Sequence, residues 1–410
     1  MYRALAEPPS AGSRPTHGYN PPTMPVYLDH AATTPLRPEV LDAMAPYLGG
    51  VFGNPSSAHA FGRAAREALD EAHERLAQAI GAEPREIVFT SGGTEANNLA
   101  LKGAAWAGKS RGHRIVTTSV EHHAVGHALS YLEHFGFEVV QVPVDRYGRV
   151  DPADVEGAIT ERTTLVSVML ANNEVGTIQP VGEVAAIVRS HRGILVHVDA
   201  IQAAPWMDLD VGSLGADLVS LAAHKAEGPK GTGALWIRRG THLLAQQHGG
   251  SQERHRRAGT ENVAGAVGMA RAFELRRAER AVTVPRVRAL RDRLADALLA
   301  VDAVELTGHP TERLPHILSV IVRGVDGASA TQALDLEGIA ASTGSACTTG
   351  STEPSHVLSA MGYPADEAAG AVRLSLGGST TTAEIEEAER VVPAVLRRLV
   401  AAARTEVLAR

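Results

Sequence analysis

The chain has 410 residues, of which 44% are hydrophobic and 21% charged, and its formal net charge at pH 7 is −7. These values exclude a collagen-like, coiled-coil or wholly disordered chain and leave room for more than one globular domain. The acidic balance argues against a dedicated binder of nucleic acid or of anionic membranes. Cys347 is the only cysteine, which excludes an intrachain disulfide and a cysteine-based zinc site and suits a reducing cytoplasm.

The N-terminal part is predicted to lack structure. Residues 1–23 are rich in Pro, Gly and Ser and contain no apolar stretch, so we expect a disordered extension rather than a secretory signal or a membrane anchor. An ordered pattern begins near Met24. From Arg85 to about Ala270, short apolar runs alternate with helical stretches, which is typical of a parallel sheet covered by crossover helices. The runs predicted as strands are 86–90, 114–118, 138–142, 165–170, 194–199, 218–221 and 234–237.

A second unit is expected towards the C-terminus. A long helical pattern follows Thr260 and is interrupted by the Val-Thr-Val-Pro segment that begins at Val282, where we expect a domain boundary. Residues 38–281 would form a large domain, and residues 24–37 with 282–410 a small one. The strands predicted in the small domain are 317–322, 339–342 and 372–375. The expected fold class is α/β with a mostly parallel sheet.

A glycine-rich turn separates the strand at 86–90 from the following helix. Gly92 and Gly93 allow the backbone to approach an anion, the helix N-terminus favours negative charge, and Thr94 adds a hydroxyl donor. The turn fits neither the GxGxxG nor the GxxxxGK[ST] pattern, which disfavours a dinucleotide or nucleoside triphosphate site. A tight turn with a helix cap is the alternative account.

Asp199 ends the strongly apolar run 194–199. Open α/β sheets hold ligands at the carboxyl ends of their strands, so this carboxylate is placed to keep a pyridine nitrogen protonated. A helix N-cap after the strand is the alternative account of Asp199.

Four lysines are available for imine chemistry: Lys102, Lys109, Lys225 and Lys230. Lys225 follows the strand at 218–221 and a run of small residues, where burial favours an amine of lowered pKa. Lys230 stands between Pro and Gly and is interpreted as a turn residue. Lys102 and Lys109 lie on a helix that is predicted to be exposed. Lys225 is therefore the preferred candidate.

Taken together, the chain resembles the cysteine desulfurases, a family of pyridoxal-phosphate (PLP) enzymes related to the class V aminotransferases. The resemblance implies a PLP enzyme of fold-type I, with a large domain built on a mostly parallel sheet and a smaller α/β C-terminal domain. It also implies conversion of L-cysteine to L-alanine, with the sulfur passed through a persulfide to an acceptor protein. The matching stretches, which keep the family's order and spacing, are residues 27–35, 90–98, 121–125, 172–176, 196–202, 224–231, 249–262 and 342–354.

The resemblance assigns residues to the cofactor. It makes Lys225 the Schiff-base lysine and Asp199 the partner of the pyridine nitrogen. His122 would stack on the ring and assist proton transfer, although from sequence alone it could equally stand at a helix terminus. The other implied contacts are Gln202 at the ring hydroxyl, Asn173 near the cofactor or the substrate carboxylate, and Gly93, Thr94 and His224 at the phosphate.

Three further roles follow from the resemblance. Arg373 matches the arginine that binds the substrate α-carboxylate, for which a planar bidentate donor is well suited. Cys347 matches the sulfur-accepting nucleophile, and the long polar stretch around it resembles the subgroup whose cysteine passes sulfur directly to partner proteins. Thr260 resembles the threonine that reaches the phosphate of the neighbouring subunit, which implies a homodimer with shared sites.

Ala222 departs from the family pattern, because it stands where a serine usually contacts the phosphate. Two other enzymes remain as alternatives, a class V aminotransferase and a selenocysteine lyase. A non-catalytic scaffold is disfavoured because the reactive residues are retained together, and no HExxH or paired His/carboxylate spacing indicates a metal. The sulfur acceptor is left open among iron–sulfur cluster assembly, thiolation of tRNA or a cofactor, and DNA sulfur modification.

Overall fold

The computed structural model describes residues 25–344 and 354–408, with side chains described to residue 405. The predicted N-terminal extension, residues 1–23, and the candidate nucleophile Cys347 lie outside these residues. Within them the fold is α/β, as the sequence predicts. None of the helices in the described ranges has the length and apolar character needed to cross a lipid bilayer.

Every strand predicted from the sequence occurs, with its ends within two residues of the expected positions. The strands are β1 (Val26–Tyr27), β2 (Ile87–Thr90), β3 (Arg114–Thr118), β4 (Glu138–Val142), β5 (Thr163–Met169), β6 (Leu195–Asp199), β7 (Leu218–Ala222), β8 (Gly233–Ile237), β9 (Val304–Leu306), β10 (Ile317–Val322), β11 (Ile339–Ala340) and β12 (Ala371–Ser375). The helices are α1 (Pro38–Leu48), α2 (Ala60–Ile80), α3 (Gly93–Gly108), α4 (His123–Glu133), α5 (Pro152–Ala158), α6 (Val181–Ser190), α7 (Val263–Leu299), α8 (Gly327–Leu336), α9 (His356–Ala360), α10 (Ala365–Ala368) and α11 (Thr382–Leu408).

The main sheet has seven strands in the order β2-β8-β7-β6-β5-β3-β4. Only β8 runs against its neighbours, so the other six strands point the same way. All residues of β5 are buried, which explains why the central strands read as continuous apolar runs in the sequence. Because the six strands share a direction, the chain leaves β2, β3, β6 and β7 at one edge of the sheet. That edge collects the residues that follow those strands.

The C-terminal part contains a smaller antiparallel sheet in the order β12-β10-β9, and β1 pairs in parallel with β11. The N-terminal stretch after β1 therefore joins this smaller unit, since Asp29 forms a bridge to Ser375 at the end of β12. The boundaries 38–281 and 24–37 with 282–410 remain our prediction for the domains.

The helical break expected at Val282 is wrong, because α7 is continuous from Val263 to Leu299. Pro285 lies inside this helix, where a proline removes one backbone hydrogen bond. The buried residues Leu290 and Leu294 continue the apolar face of α7 beyond it. Helices in proteins owe most of their stability to such packing, so the buried face outweighs the missing bond.

Candidate active site

A cavity of about 350 Å³ opens at the edge of the main sheet where its six parallel strands end. Thr260 is the one predicted site residue in the described ranges that does not line this cavity. Those that do are Gly93, Thr94, His122, Asn173, Asp199, Gln202, His224, Lys225 and Arg373. The structure thus brings together residues that are spread over 280 positions of the sequence.

Asp199, the last residue of β6, is buried in the floor of the cavity. Its Oδ2 accepts a hydrogen bond from Nδ2 of Asn97 at 2.7 Å, and its Oδ1 accepts one from the backbone N–H of Ile201 at 3.0 Å. Burial raises the pKa of Asp199, while these bonds and the charge of Lys225 act in the opposite direction. The carboxylate is held in one orientation, as a partner for a protonated ring nitrogen must be.

Gln202 follows Asp199 by three residues and lines the same cavity. Its side chain is buried, and neither its amide nitrogen nor its amide oxygen has a hydrogen-bond partner among the described residues. Buried amides are nearly always paired, so this one fits a polar group of a bound molecule. A ring hydroxyl such as that of PLP can accept from the amide nitrogen or donate to the amide oxygen. The residues present therefore fit the cofactor.

Other residues that line the cavity are suited to an anion. Gly93 begins α3, and a Cβ atom at this position would lie 2.2 Å from Cδ1 of Ile201, so a larger residue here would require the Ile201 side chain to move. The backbone N–H groups of the first turn of α3 and the Thr94 hydroxyl are donors of the kind that bind phosphate. His224 also lines this cavity, and burial and then the charge of Lys225 lower its pKa to about 4, so the ring is neutral at pH 7.

Lys225 lies in a short 3₁₀ turn directly after β7. Its Nζ donates hydrogen bonds to the backbone carbonyl oxygens of Ala31 and Ala32, the latter at 2.7 Å, and all three residues line the cavity. Lys230 is exposed in a turn, as predicted. Lys225 is therefore the lysine whose amine reaches the cavity.

Lys102, in the second half of α3, and Lys109, directly after that helix, do not line the cavity. Much of α3 is buried and Lys102 is half-buried, so the helix is not the exposed one that the sequence predicts, although Lys109 is exposed. The Nζ of Lys102 lies 4.1 Å from the ring centre of Tyr131, and that of Lys109 lies 4.4 Å from the ring of Trp106. Both amines thus rest on aromatic faces of the protein surface, and neither is placed for chemistry in the cavity.

His122 stands at a helix terminus and also lines the cavity, which are the two possibilities that the sequence left open. It is the N-cap of α4, where its Nδ1 accepts the backbone N–H of Ala124 at 3.0 Å, and it lines the cavity. Burial, and then the charge of Lys225, lower the pKa of His122 to about 4, so the ring is neutral at pH 7. Because Nδ1 is the acceptor, the proton of the neutral ring is on Nε2.

Arg373 enters the cavity from β12 of the smaller sheet. Its guanidinium donates to Oδ1 of Asp29 at 3.0 Å and to the backbone oxygen of Asn173 at 2.9 Å. The side chain is only 2% exposed, and its Nε has no hydrogen-bond partner among the residues that the structure describes. A fixed, desolvated guanidinium of this kind suits a carboxylate ligand.

Thr260 is exposed, in the segment that leads into α7. The same segment is tied to the first turn of α3 by Arg257, whose Nε lies 2.8 Å from Oε1 of Glu95. The resemblance assigned Thr260 to a neighbouring subunit, and its place outside the cavity of its own chain is compatible with that assignment.

Sequence reasoning gave no role to the residues that orient these groups. Asn97 is 102 positions from Asp199, and Asp29 is 344 positions from Arg373. Both lie inside stretches that carry the family resemblance, and that was the available signal. Which partner each one contacts is decided by the fold, because nothing in the spacing of such distant residues shows it.

Comparison with known proteins identifies the family. The model of the class V aminotransferases matches residues 26–388. Cysteine desulfurase IscS of Methanosarcina thermophila is 48% identical over 374 residues, which make up 91% of this chain and 92% of that protein. The chain belongs to the cysteine desulfurases. The desulfurase is a PLP-dependent enzyme that acts on L-cysteine and transfers its sulfur.

Solved structures agree with the fold-type I architecture. A NifS-like protein matches the desulfurase with a TM-score of 0.87 at 38% identity, covering 92% of this chain and all of that one. DndA from Streptomyces lividans matches with a TM-score of 0.72 at 35% identity, covering 85% of this chain and 99% of that one. The α/β class and the mostly parallel main sheet are thereby confirmed.

Proposed function

We propose that Cys347 receives the sulfur of L-cysteine at this cavity, where Lys225 holds PLP and Arg373 holds the substrate carboxylate. One observation carries the proposal: Lys225, Arg373 and Gly344 line a single cavity. Gly344 precedes Cys347 by three residues, and three extended residues span at most about 11 Å. The only thiol of the chain is therefore tethered close to the residues that would hold cofactor and substrate.

The residues that would hold PLP divide by chemistry. Lys225 would supply the amine that holds the aldehyde group, Asp199 would pair with the ring nitrogen, and Gln202 would pair with the ring hydroxyl. When bound, PLP supplies an electron sink that makes the Cα–H of an amino acid acidic. The phosphate would be held by the N-terminus of α3 with Gly93, Thr94 and His224.

Arg373 would bind the α-carboxylate of L-cysteine, next to Asn173. The thiolate of Cys347 then attacks the substrate sulfur: an S–S bond forms as the C–S bond breaks, and the carbon skeleton takes up a proton to leave as L-alanine. A free cysteine has a pKa of about 8.5, so the thiol must first be deprotonated. The product on the enzyme is a Cys347 persulfide, whose outer sulfur passes to the acceptor protein.

His122 is placed to donate a hydrogen bond rather than to take a proton. Its neutral ring carries the proton on Nε2, and accepting a second proton would require Nδ1, which holds the backbone N–H of Ala124 at the start of α4. Loss of the Nε2 proton from a neutral ring would leave an imidazolate, so we assign His122 to stacking on the cofactor ring and to donating a hydrogen bond from Nε2 during proton transfer. Removal of the thiol proton of Cys347 falls to another base, which includes solvent.

The working enzyme is, in our proposal, a cytoplasmic homodimer. Thr260 supports this, because it is exposed outside its own cavity on a segment that Arg257 ties to the start of α3. In the dimer, Thr260 would add a hydroxyl donor to the phosphate held by the neighbouring chain. The single cysteine, which excludes an intrachain disulfide, suits the reducing cytoplasm.

Replacing Cys347→Ser tests the proposal. The variant should keep bound PLP and the change in visible absorption on mixing with L-cysteine, but form no persulfide. An aminotransferase would continue to transfer the amino group, and sustained sulfide production without added thiol would contradict the nucleophile assignment. Borohydride reduction of the holoenzyme followed by peptide mapping should label Lys225, with Lys230→Ala as the control that leaves the label in place.

A further inference from the structure

The chain meets the cavity wall on both sides of residues 345–353. Gly344 lines the cavity on one side, and His356, the first residue of α9, lines it on the other. Ser355, between the segment and α9, is buried. Both flanks of the segment that contains Cys347 therefore line the cavity. Hydrogen bonds between described residues hold the second flank in place.

A buried carboxylate is bonded to one flank and lies beside the other. The Oγ of Ser355 donates a hydrogen bond to Oε2 of Glu174 at 2.5 Å, and a Cβ atom placed on Gly344 would lie 3.0 Å from the same oxygen. Glu174 is 3% exposed, and no cation of the described residues lies within ion-pair distance of it. Its position in the chain is directly after Asn173, in the turn whose backbone oxygen accepts from Arg373.

A second bond joins the far flank to the turn that carries His122. The Nε2 of His356 donates to the backbone oxygen of Glu121 at 2.9 Å. The Glu121 side chain is itself fixed, since its Oε1 accepts from the Thr118 hydroxyl and the Met169 N–H, both at 2.8 Å. The imidazole of His356 is therefore attached to a rigid part of the main-sheet edge.

We propose that Ser355 and His356 are positioning residues for sulfur transfer. Through Glu174 and the backbone of Glu121, they fix the point at which the cysteine-bearing segment leaves the wall, beside the turns that carry Asn173 and His122. This inference rests on the proposed role of Cys347. Displacing a reacting group by about 1 Å can cost about a hundredfold in rate, so a fixed departure point affects the rate of sulfur transfer.

The Ser355→Asp variant loses the hydrogen bond to Glu174, which we call the first anchor, but keeps the cap of α9. The second anchor is the hydrogen bond from His356 to the backbone oxygen of Glu121. Ser355 is also the N-cap of α9, where its Oγ accepts the N–H of Leu358 at 3.2 Å. Aspartate caps a helix as well as serine does, so α9 keeps its cap, but the new carboxylate is repelled by Glu174. Ser355→Thr keeps both bonds. Ser359→Ala is the matched control, because its hydroxyl donates within the same helix, to the backbone oxygen of Ser355.

His356→Ala removes the second anchor. Its matched control is His127→Ala. The ring centre of His127 lies 5.1 Å from that of His123, and the ring centre of His356 lies 4.7 Å from it, but His127 is exposed. Two quantities are measured on each holoenzyme. One is the affinity for L-cysteine, from the visible spectral change, and the other is the single-turnover rate of persulfide formation.

The expected pattern is a loss of rate without a loss of affinity. Ser355→Asp should form persulfide at least about tenfold more slowly and His356→Ala several-fold more slowly, with affinities for L-cysteine within about twofold of the wild type. Ser355→Thr, Ser359→Ala and His127→Ala should match the wild type. Ser355→Ala, which loses the anchor and the cap, provides a second variant if the aspartate variant is not recovered folded.

Two results would overturn the inference. Persulfide formation at the wild-type rate in both anchor variants would show that the anchors have no part in sulfur transfer. A fall in affinity that matches the fall in rate would show that they support the pocket as a whole. Cys347→Ala is measured in parallel: persistent desulfuration there would refute the proposed nucleophile itself, which is a different outcome from failure of the anchors.

Discussion

The two walls of the cavity are built in different ways. The sheet wall consists of cavity residues that end a main-sheet strand or stand between that strand and the next helix: His122, Asp199, Gln202, Ala222, His224 and Lys225. The mouth wall consists of Gly344, His356 and Arg373, which come from the smaller sheet and the flanks of residues 345–353. Sheet-wall residues are placed by the elements they follow, whereas mouth-wall residues are placed by contacts such as Arg373 with Asp29 and Ser355 with Glu174.

The chemistry divides along the same line. The sheet wall presents the carboxylate of Asp199, the amine of Lys225 and two imidazoles. Burial lowers the pKa of His122 and of His224 to about 4, so both imidazoles are neutral at pH 7. The mouth wall presents a guanidinium and the departure point of the nucleophile's segment. Damage to the sheet wall should therefore stop the chemistry, while damage to the mouth wall should weaken substrate binding or slow sulfur transfer.

The largest effect is expected at the sheet wall. Asp199→Ala should lower kcat for L-alanine formation by about a hundred- to a thousandfold, the usual loss when a preorganised charged partner is removed. Asn97→Ala should lose less, about tenfold, because the carboxylate keeps the N–H of Ile201. Equal losses in the two variants would show that orientation of Asp199 matters more than its charge.

At the mouth wall, Arg373→Lys should weaken L-cysteine binding by about ten- to a hundredfold, since lysine keeps the charge but loses the bidentate geometry. The visible spectral change during titration with L-cysteine measures this, and kcat should fall less than affinity. Arg323→Ala is the control, because Arg323 is an exposed residue beside the same sheet that pairs with Glu305. A loss confined to kcat would place Arg373 in the chemistry of the sheet wall instead.

Acid should lower the free energy of unfolding through His197, which lies in β6 of the main sheet. Fully buried His197, between the hydroxyls of Ser167 and Ser220, has its pKa lowered to about 3 by burial. Unfolding returns it to its ordinary pKa of about 6.5, so the unfolded state binds more protons below that pH. Its contribution to stability is full above about pH 6.5 and is lost as the pH falls towards 3, by up to about 1.4 kcal/mol per pH unit.

Urea unfolding between pH 7.5 and pH 4.5 measures this dependence. The free energy of unfolding should fall with pH, and His197→Asn should show a shallower fall than the wild type. The exposed His134→Ala serves as the control and should keep the wild-type slope. A stability that does not change over this range would contradict a buried, neutral imidazole at His197.

The smallest effect is expected at Ala222, in the sheet wall beside Gly93. An ideal Cβ on Gly93 would lie 3.4 Å from the Cβ of Ala222, so a hydroxyl at position 222 would face the start of α3. Ala222→Ser should keep activity and slow the loss of PLP during dialysis by up to about tenfold, the contribution of one hydrogen bond to a charged group. Both proteins are compared in one buffer with a competing amine; unchanged or faster loss in the variant would contradict the missing contact.

Local pattern was enough to predict the strands and the sheet wall. Apolar runs and glycine turns are set by short stretches of chain, and parallel strands deliver their last residues to one edge, so the pattern alone places Asp199 and Lys225 there. The same local reasoning failed at Val282, where Pro285 suggests a break. The burial of Leu290 and Leu294 against other elements, which keeps α7 continuous, is not a property of that segment alone.

By itself, then, the sequence determined the α/β class, the strand positions and the residues that the family resemblance assigns to PLP and L-cysteine. Only the tertiary structure decided which polar groups hold those residues: Asn97 on Asp199, Asp29 on Arg373, and Glu174 on Ser355. Each of these pairs joins residues more than a hundred positions apart, and hydrogen bonds reach only about 3 Å. Such pairs exist only after the fold has brought both partners to one place.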